Sequence, residues 1–227
     1  HSGTLSCVQD PEVEVPPSYG FVCRCTTAQL ANTISVVLDS VASSGETTAF
    51  DVVPSALSQV DLNLMLDGPH EHIEAGESIT ASLLGRDEYG NPTEDSLTVE
   101  LSDTAGGLSP TSAELTDGHA TLSLVFSTAL VGNTVSASAG DSLLGISTPF
   151  EVRPGAAIGL DISSEQPWAW TGERTLLRIQ PQDAYGNLVM EAEDDVLLSS
   201  TAGLGADVWV TVAGDTSTEF EFDVAGL

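Results

Sequence analysis

Apolar and polar residues alternate at a period of two along most of this chain. Val60, Leu62 and Leu64 are separated by polar residues, as are Ile79, Ala81 and Leu83. The same holds for Leu97, Val99 and Leu101, and for Leu122, Leu124 and Phe126. Further on, Val208, Val210 and Val212 alternate, followed by Phe220, Phe222 and Val224. Successive side chains of a strand point to opposite faces, so this spacing predicts strands with one buried face. No window shows a 3.6-residue stripe with helix caps. Turn residues punctuate the pattern: Tyr-Gly-Asn at 89–91 and 185–187, and Asp117-Gly118 before a strand that begins at His119. The expectation is an all-β fold of antiparallel sandwiches.

The pattern repeats. Phe50-Asp-Val-Val-Pro54 recurs as Phe150-Glu-Val-Arg-Pro154, an offset of 100. Ala75-Gly76-Glu77 recurs as Thr171-Gly172-Glu173, and Asp87-Glu-Tyr89-Gly90-Asn91 as Asp183-Ala-Tyr185-Gly186-Asn187, both at offset 96. Thr104-Ala105-Gly106 matches Thr201-Ala202-Gly203, and Asn32-Thr33-Ile34-Ser35 matches Asn133-Thr134-Val135-Ser136. The matches keep their order, and loop-length changes account for the drift of the offset. A unit of about 100 residues is the size of one β-sandwich. The expected organisation is the C-terminal part of a unit at 1–54 with a Cys-containing segment, a complete unit at 55–154, and an incomplete unit at 155–227 lacking its last strand. Val53-Pro54-Ser55 and Arg153-Pro154-Gly155 are the linkers. They are short, and proline fixes φ there, so a semi-rigid rod is expected.

The sequences Ala-Gly-Glu at 75–77, Asp-x-Tyr-Gly-Asn at 87–91 and Phe-x-Val-x-Pro at 150–154 resemble bacterial immunoglobulin-like repeats. These are the repeats of invasin- and intimin-type adhesins and the filamin-like repeats of large secreted bacterial proteins. Gly172-Glu173 and Asp183–Asn187 carry the same signature. The resemblance implies extracellular stalks, adhesins, surface layers or filaments without enzymatic activity. Its motifs are turn and strand-edge residues, which specify a fold and not a ligand. The stretch 1–25 has no counterpart in the other copies.

Composition narrows the partners. Against 34 acids stand 5 bases, all arginine, for a formal net charge of -29. No basic stripe exists to neutralise phosphates, so nucleic acid is excluded as a partner and anionic membranes are disfavoured. The longest apolar runs are too short for a spanning helix. The chain opens at His1 with no signal-like stretch, and a processed or excised product is expected. Cys7, Cys23 and Cys25 lie within the first 25 residues. Cys23 and Cys25 would share one strand face, and a bridge from Cys7 to one of them is expected, with an oxidising compartment as its consequence. Three buried, reduced thiols are the alternative.

No nucleophile–base pair forms a recognisable motif. His70-Glu71-His72 could offer half a metal site, but aligned with it stand Trp168-Ala169-Trp170, so semi-exposed packing is the better reading. Trp168 and Trp170 are expected at an interface between units or subunits, with glycan stacking as the lesser alternative. No cofactor is called for; calcium is the one ion weighed. Its candidate ligands are Asp87, Glu88, Asn91, Asp183 and Asn187, with Glu193-Asp194-Asp195 nearby, yet no Asp-x-Asp-x-Asp loop is present and the aspartates are expected to hydrogen-bond their own turns. Lysine is absent, so no Lys–Asn isopeptide bond can form, and no Asn-x-Ser/Thr sequon with x other than proline occurs.

The two ends match one another. Leu227 aligns with Leu130, so the third unit lacks the counterpart of residues 131–154, while residues 31–54 of the first unit carry that stretch. Covalent continuity within a longer polypeptide is the simpler expectation. The other is head-to-tail completion, with Phe50 and Val52 of one copy filling the groove of the next.

Overall fold

The computed structural model describes residues 5–15, 18–38, 43–66, 72–168, 170, 172, 174–199 and 208–221. Among them the secondary structure is all strand, 22 in number, with no helix. The chain is an all-β protein of immunoglobulin-like antiparallel sandwiches. Three segments follow one another.

The central segment is the best-formed sandwich, and alternation explains why. Its first sheet has the order β11-β13-β9-β7, from β7 (Gln59–Met65), β9 (Ser78–Arg86), β11 (Leu108–Ser109) and β13 (His119–Phe126). The facing sheet has the order β12-β10-β15-β16, from β10 (Leu97–Asp103), β12 (Ser112–Leu115), β15 (Val135–Ala139) and β16 (Ser142–Ile146). A third sheet, β14-β17-β8, joins β14 (Leu130–Asn133) and β17 (Phe150–Arg153) to β8 (His72–Glu74). β8 runs parallel to β17. Every second residue points inward, so Ala81, Leu83, Val99, Leu124, Phe126, Val135 and Ala137 are fully buried between the sheets. Phe126 meets Phe150 edge to face at 5.1 Å between centroids. Asp117 and Gly118 both take positive φ, at 49° and 75°, and join β12 to β13 as a two-residue hairpin with Thr116 and His119 exchanging backbone hydrogen bonds.

The first segment is built from two-stranded ribbons. β1 (Leu5–Val15) pairs with β2 (Ser18–Cys25), β3 (Gln29–Asn32) with β6 (Phe50–Val52), and β4 (Ser35–Leu38) with β5 (Ser43–Glu46). Cys7 lies directly across from Cys23, and the two are bridged, which leaves Cys25 as a half-buried thiol. A cross-link over 16 residues removes about 3 kcal/mol of unfolded-chain entropy on the loop-closure account. The third segment has a sheet of β18 (Gly159–Ser164), β19 (Arg174–Gln182) and β22 (Thr216–Glu221), with the pair β20 (Glu193–Leu198) and β21 (Val208–Ala213) facing it. Ile179, Leu198 and Val212 form its small core.

Truncating the best-packed ring tests this division of stability. Phe126→Ala should lower the unfolding free energy of the central sandwich by about 3–5 kcal/mol, because a buried aromatic leaves a cavity. Val131→Ala, at a residue 78% exposed, should change it little. Urea unfolding followed by far-UV circular dichroism reads both.

Candidate functional site

Two hydrogen-bonded joints, one at each linker, carry the most specific chemistry of the molecule. Both are built on an Asp-x-Tyr-Gly-Asn turn that follows a long strand, β9 in one case and β19 in the other. At the second joint Asp183 Oδ1 accepts from the backbone N–H groups of Tyr185 and Asn187, each at 2.9 Å. Its Oδ2 accepts from Gly155 N–H at 2.9 Å and from the Asn187 amide at 2.8 Å. Gly155 belongs to the linker. Asn187 then reaches across to the central sandwich: Nδ2 donates to Ser127 O and Oδ1 accepts from Ala129 N–H, both at 2.8 Å.

The first joint repeats this bond for bond. Asp87 Oδ1 accepts from Tyr89 and Asn91 N–H at 2.9 Å, and Oδ2 accepts from Ser55 N–H of the linker at 3.1 Å. Asn91 Nδ2 donates to Asp87 and to Thr26 O, at 2.9 and 3.0 Å, and Asn91 Oδ1 accepts from Ala28 N–H at 2.9 Å. The aspartate therefore ties its own turn to the linker, and the asparagine ties both to the preceding segment. Turn bonding by the aspartates was legible in the sequence; the reach of the asparagines was not. Their partners are main-chain groups, carried by the corresponding stretches Thr26-Thr27-Ala28 and Ser127-Thr128-Ala129. The available signals were the Asp and Asn repeating at offset 96 and Thr27-Ala28 recurring as Thr128-Ala129 at offset 101.

Both carboxylates are buried, Asp87 at 1% and Asp183 at 6% exposure. Burial is the largest single influence on each and acts to raise the pKa. The asparagine side chain and the backbone donors together outweigh it, so both lie below the ordinary 3.8. Oxygens surrounded by N–H donors form an anion's hydrogen-bond cage, not a cation's ligand shell. The candidate calcium residues Asp87, Asn91, Asp183 and Asn187 thus spend their oxygens on the joints, and Glu88 accepts none of these joint bonds. Among the described residues no cluster of three or more His, Cys, Asp or Glu could hold a metal. His70 lies outside the described residues.

An aromatic contact supplements the second joint. Gly76, at φ +89°, sits so close to Tyr185 that a Cβ there would fall 2.6 Å from the ring. Only glycine combines that backbone with that clearance. Its counterpart Gly172 has φ +76° and nothing within 4 Å. At the first joint Tyr89 is met by Arg24, whose guanidinium donates to the phenol at 2.5 Å and lies 5.4 Å from the ring centroid.

Trp168 and Trp170 are 59% and 71% exposed and meet each other edge to face at 5.9 Å. The positive-φ glycines fix their register: His72 corresponds to Trp168 and Glu74 to Trp170, two places on from the His70–Trp168 alignment. Phe50 is 36% exposed on β6, and Val52 is half-buried.

No family model matches the chain, and no curated protein matches it. Solved structures do resemble it. The Escherichia coli adhesin FdeC shares 18% identity at a TM-score of 0.42, with 99% of this chain and 74% of that one covered. The Yersinia pseudotuberculosis adhesin InvE shares 18% identity at 0.38, covering 74% of this chain and 53% of that one. Domains 5–6 of the S-layer protein SbsC share 14% identity at 0.29, covering 75% and 99%.

Two outcomes follow from the joints. Asn187→Ala should cost the third segment about 1–3 kcal/mol, since it strands buried partners on both sides, whereas Thr128→Ala nearby should cost far less. Differential scanning calorimetry reads the difference. A carboxylate with a lowered folded pKa gives stability that is full above its unfolded value and is lost as pH falls through the folded one. Both joints should therefore hold at neutral pH and loosen on acidification through and below the ordinary carboxylate range. Asp183→Asn should abolish that dependence at the second joint, read as amide-exchange protection of Tyr185 and Asn187.

Proposed function

We propose that this chain is a non-enzymatic structural segment of an extracellular or cell-surface protein, in which tandem immunoglobulin-like units at 1–54, 55–154 and 155–227 are locked into a stalk or filament. The observation that carries the reading is the doubled joint. A buried aspartate and a bridging asparagine recur at both linkers with the same partners, and their geometry serves connection between units. A binding turn would leave its oxygens facing solvent, whereas these face main-chain donors. The Cys7–Cys23 bridge supports an oxidising compartment. The acidic surface suits surroundings where salt screens self-repulsion. The resemblance to adhesins and an S-layer protein agrees with this placement. Glycan binding by Trp168 and Trp170 is the weaker reading, because rings inclined at 73° offer a sugar one face and one edge instead of a flat platform.

Antibodies raised against the folded chain give the direct test. They should label intact cells that make the protein. Labelling that requires permeabilised cells would overturn the surface placement.

A further inference from the structure

Three cysteines sit together where the first segment meets its joint, and they have more than one way to pair. Cys7 lies across from Cys23 and is bridged to it. Cys25 stands two residues further along β2, on the same strand face as Cys23, and keeps a half-buried thiol. The bridge itself is within reach, with Cys7 exposed and Cys23 half-buried. Directly after Cys25 come Thr26, whose carbonyl accepts from Asn91 Nδ2, and Ala28, whose N–H donates to Asn91 Oδ1. The cysteines therefore adjoin the stretch that the first joint grips.

The register of the hairpin leaves slack for a second pairing. From Leu5↔Cys25 to Gln9↔Phe21 the two strands run in step. Between Gln9↔Phe21 and Glu14↔Tyr19, four residues of β1 (10–13) face the single residue Gly20 of β2, a surplus of three. Sliding the start of β1 by two residues puts Cys7 opposite Cys25 and leaves Glu14↔Tyr19 and Val15↔Ser18 in place. The surplus then falls to one, the size of an ordinary β-bulge. A shift of two keeps each side chain on its own face. Pro11 enters the ladder in the same alternate set as Cys7 and Gln9. Cys7 and Cys23 are 4.0 Å apart at Cα, as in a non-hydrogen-bonded pair, so nitrogens of that set point away from β2 and proline fits there. Among the described residues β1 is paired by β2 alone, so no other ladder resists the move.

We infer that Cys25 exchanges with the Cys7–Cys23 bridge, and that the exchange resets the first joint. In the present register Cys7 and Cys25 are diagonal neighbours, roughly 7–8 Å apart and beyond the usual span of a disulfide. As β1 slides, Cys7 Sγ passes from Cys23 to Cys25. The Cys25 thiolate attacks Cys7 Sγ, and the Cys7–Cys25 bond forms as the Cys7–Cys23 bond breaks. The electron pair leaves on Cys23 Sγ, and the proton lost by Cys25 is replaced by one that Cys23 takes from water. One bridge and one thiol stand on each side of the reaction, so no oxidant or reductant is consumed.

The new register carries the consequence. Ser6, now opposite Arg24 in the hydrogen-bonded set, comes opposite Thr26. Its N–H is then aimed at the carbonyl that Asn91 Nδ2 holds at 3.0 Å. The Cys7–Cys23 form keeps the bond between Thr26 and Asn91, and the Cys7–Cys25 form competes with it. Arg24 stays on β2 against Tyr89 in both. The first segment thus carries a two-state catch, set by which cysteine holds Cys7.

Trypsin reads the exchange, because Arg24 separates Cys23 from Cys25. The whole chain is held at about pH 8, where an ordinary thiol is partly ionised, then blocked with N-ethylmaleimide, denatured and digested. The Cys7–Cys23 form gives a bridge within peptide 1–24 and label on Cys25. The Cys7–Cys25 form gives peptide 1–24 joined to 25–86 and label on Cys23. Both products should appear, the second at about 1% or more, as for a minor state in exchange. Cys23→Ser isolates the other form: oxidised glutathione should close Cys7–Cys25 in it, with strand content unchanged by circular dichroism. Against Cys25→Ser, which locks Cys7–Cys23, amide exchange at Ala28 should be roughly 2–10-fold faster, as one hydrogen bond's support is lost. Label on Cys25 alone, at every pH and time, overturns the inference. So does a Cys23→Ser chain that keeps both thiols where Cys25→Ser closes its bridge, or equal Ala28 protection in the two closed variants. If Cys23→Ser loses its strands, the wild-type digest decides by itself.

Discussion

A buried carboxylate has to have its oxygens filled, and at each linker of this protein two stretches of chain, the turn and the linker, fill them. The turn offers two backbone N–H groups, the linker a third, and the asparagine amide a fourth. That asparagine has donor and acceptor capacity left over, which it spends on the preceding segment. Desolvating the aspartate would be costly by itself. With four donors in place it becomes a fastener, and any swing of one segment relative to the next breaks several bonds together.

This explains why the linkers are short and why glycine and proline flank them. Pro54 and Pro154 cannot extend a ladder, so the following residue, Ser55 or Gly155, has an N–H free to turn toward the aspartate. Gly76 leaves room for the Tyr185 ring on the far side of the second joint. Polar bonds set the direction, and the Tyr185 ring packs against Gly76 beside them. The first joint reaches a similar end by another route, with Arg24 against Tyr89 next to the Cys7–Cys23 bridge.

Strand periodicity was readable because a buried sandwich face leaves a two-residue imprint, and Ile79, Ala81 and Leu83 point inward as the alternation requires. The Asp117-Gly118 hairpin was readable because its backbone demands particular residues. The joint was half readable. Asp87 and Asp183 announce a turn, and Thr27-Ala28 recurs as Thr128-Ala129, but the bonds there run to main-chain atoms, so the recurrence alone names no partner. The register of the tryptophans was misplaced for a related reason. Loop lengths shift the offset, and the adjacent Gly76–Gly172 match at offset 96, whose glycines both take positive φ, fixes it locally. The acidic turns pointed to calcium only weakly; turn hydrogen bonding was the expectation, and the Asp87 and Asp183 oxygens do accept from the N–H groups of their own turns.

The central claim is that hydrogen bonds through Asn187 fix the angle between the central sandwich and the segment after it. Spin labels at Thr98 and Ser163, both exposed strand positions, placed in a Cys25→Ser background, would report that angle by pulsed electron paramagnetic resonance. The account predicts a narrow distance distribution that broadens markedly in Asn187→Ala while each segment keeps its strand content. A distribution of equal width with and without the asparagine amide would contradict it.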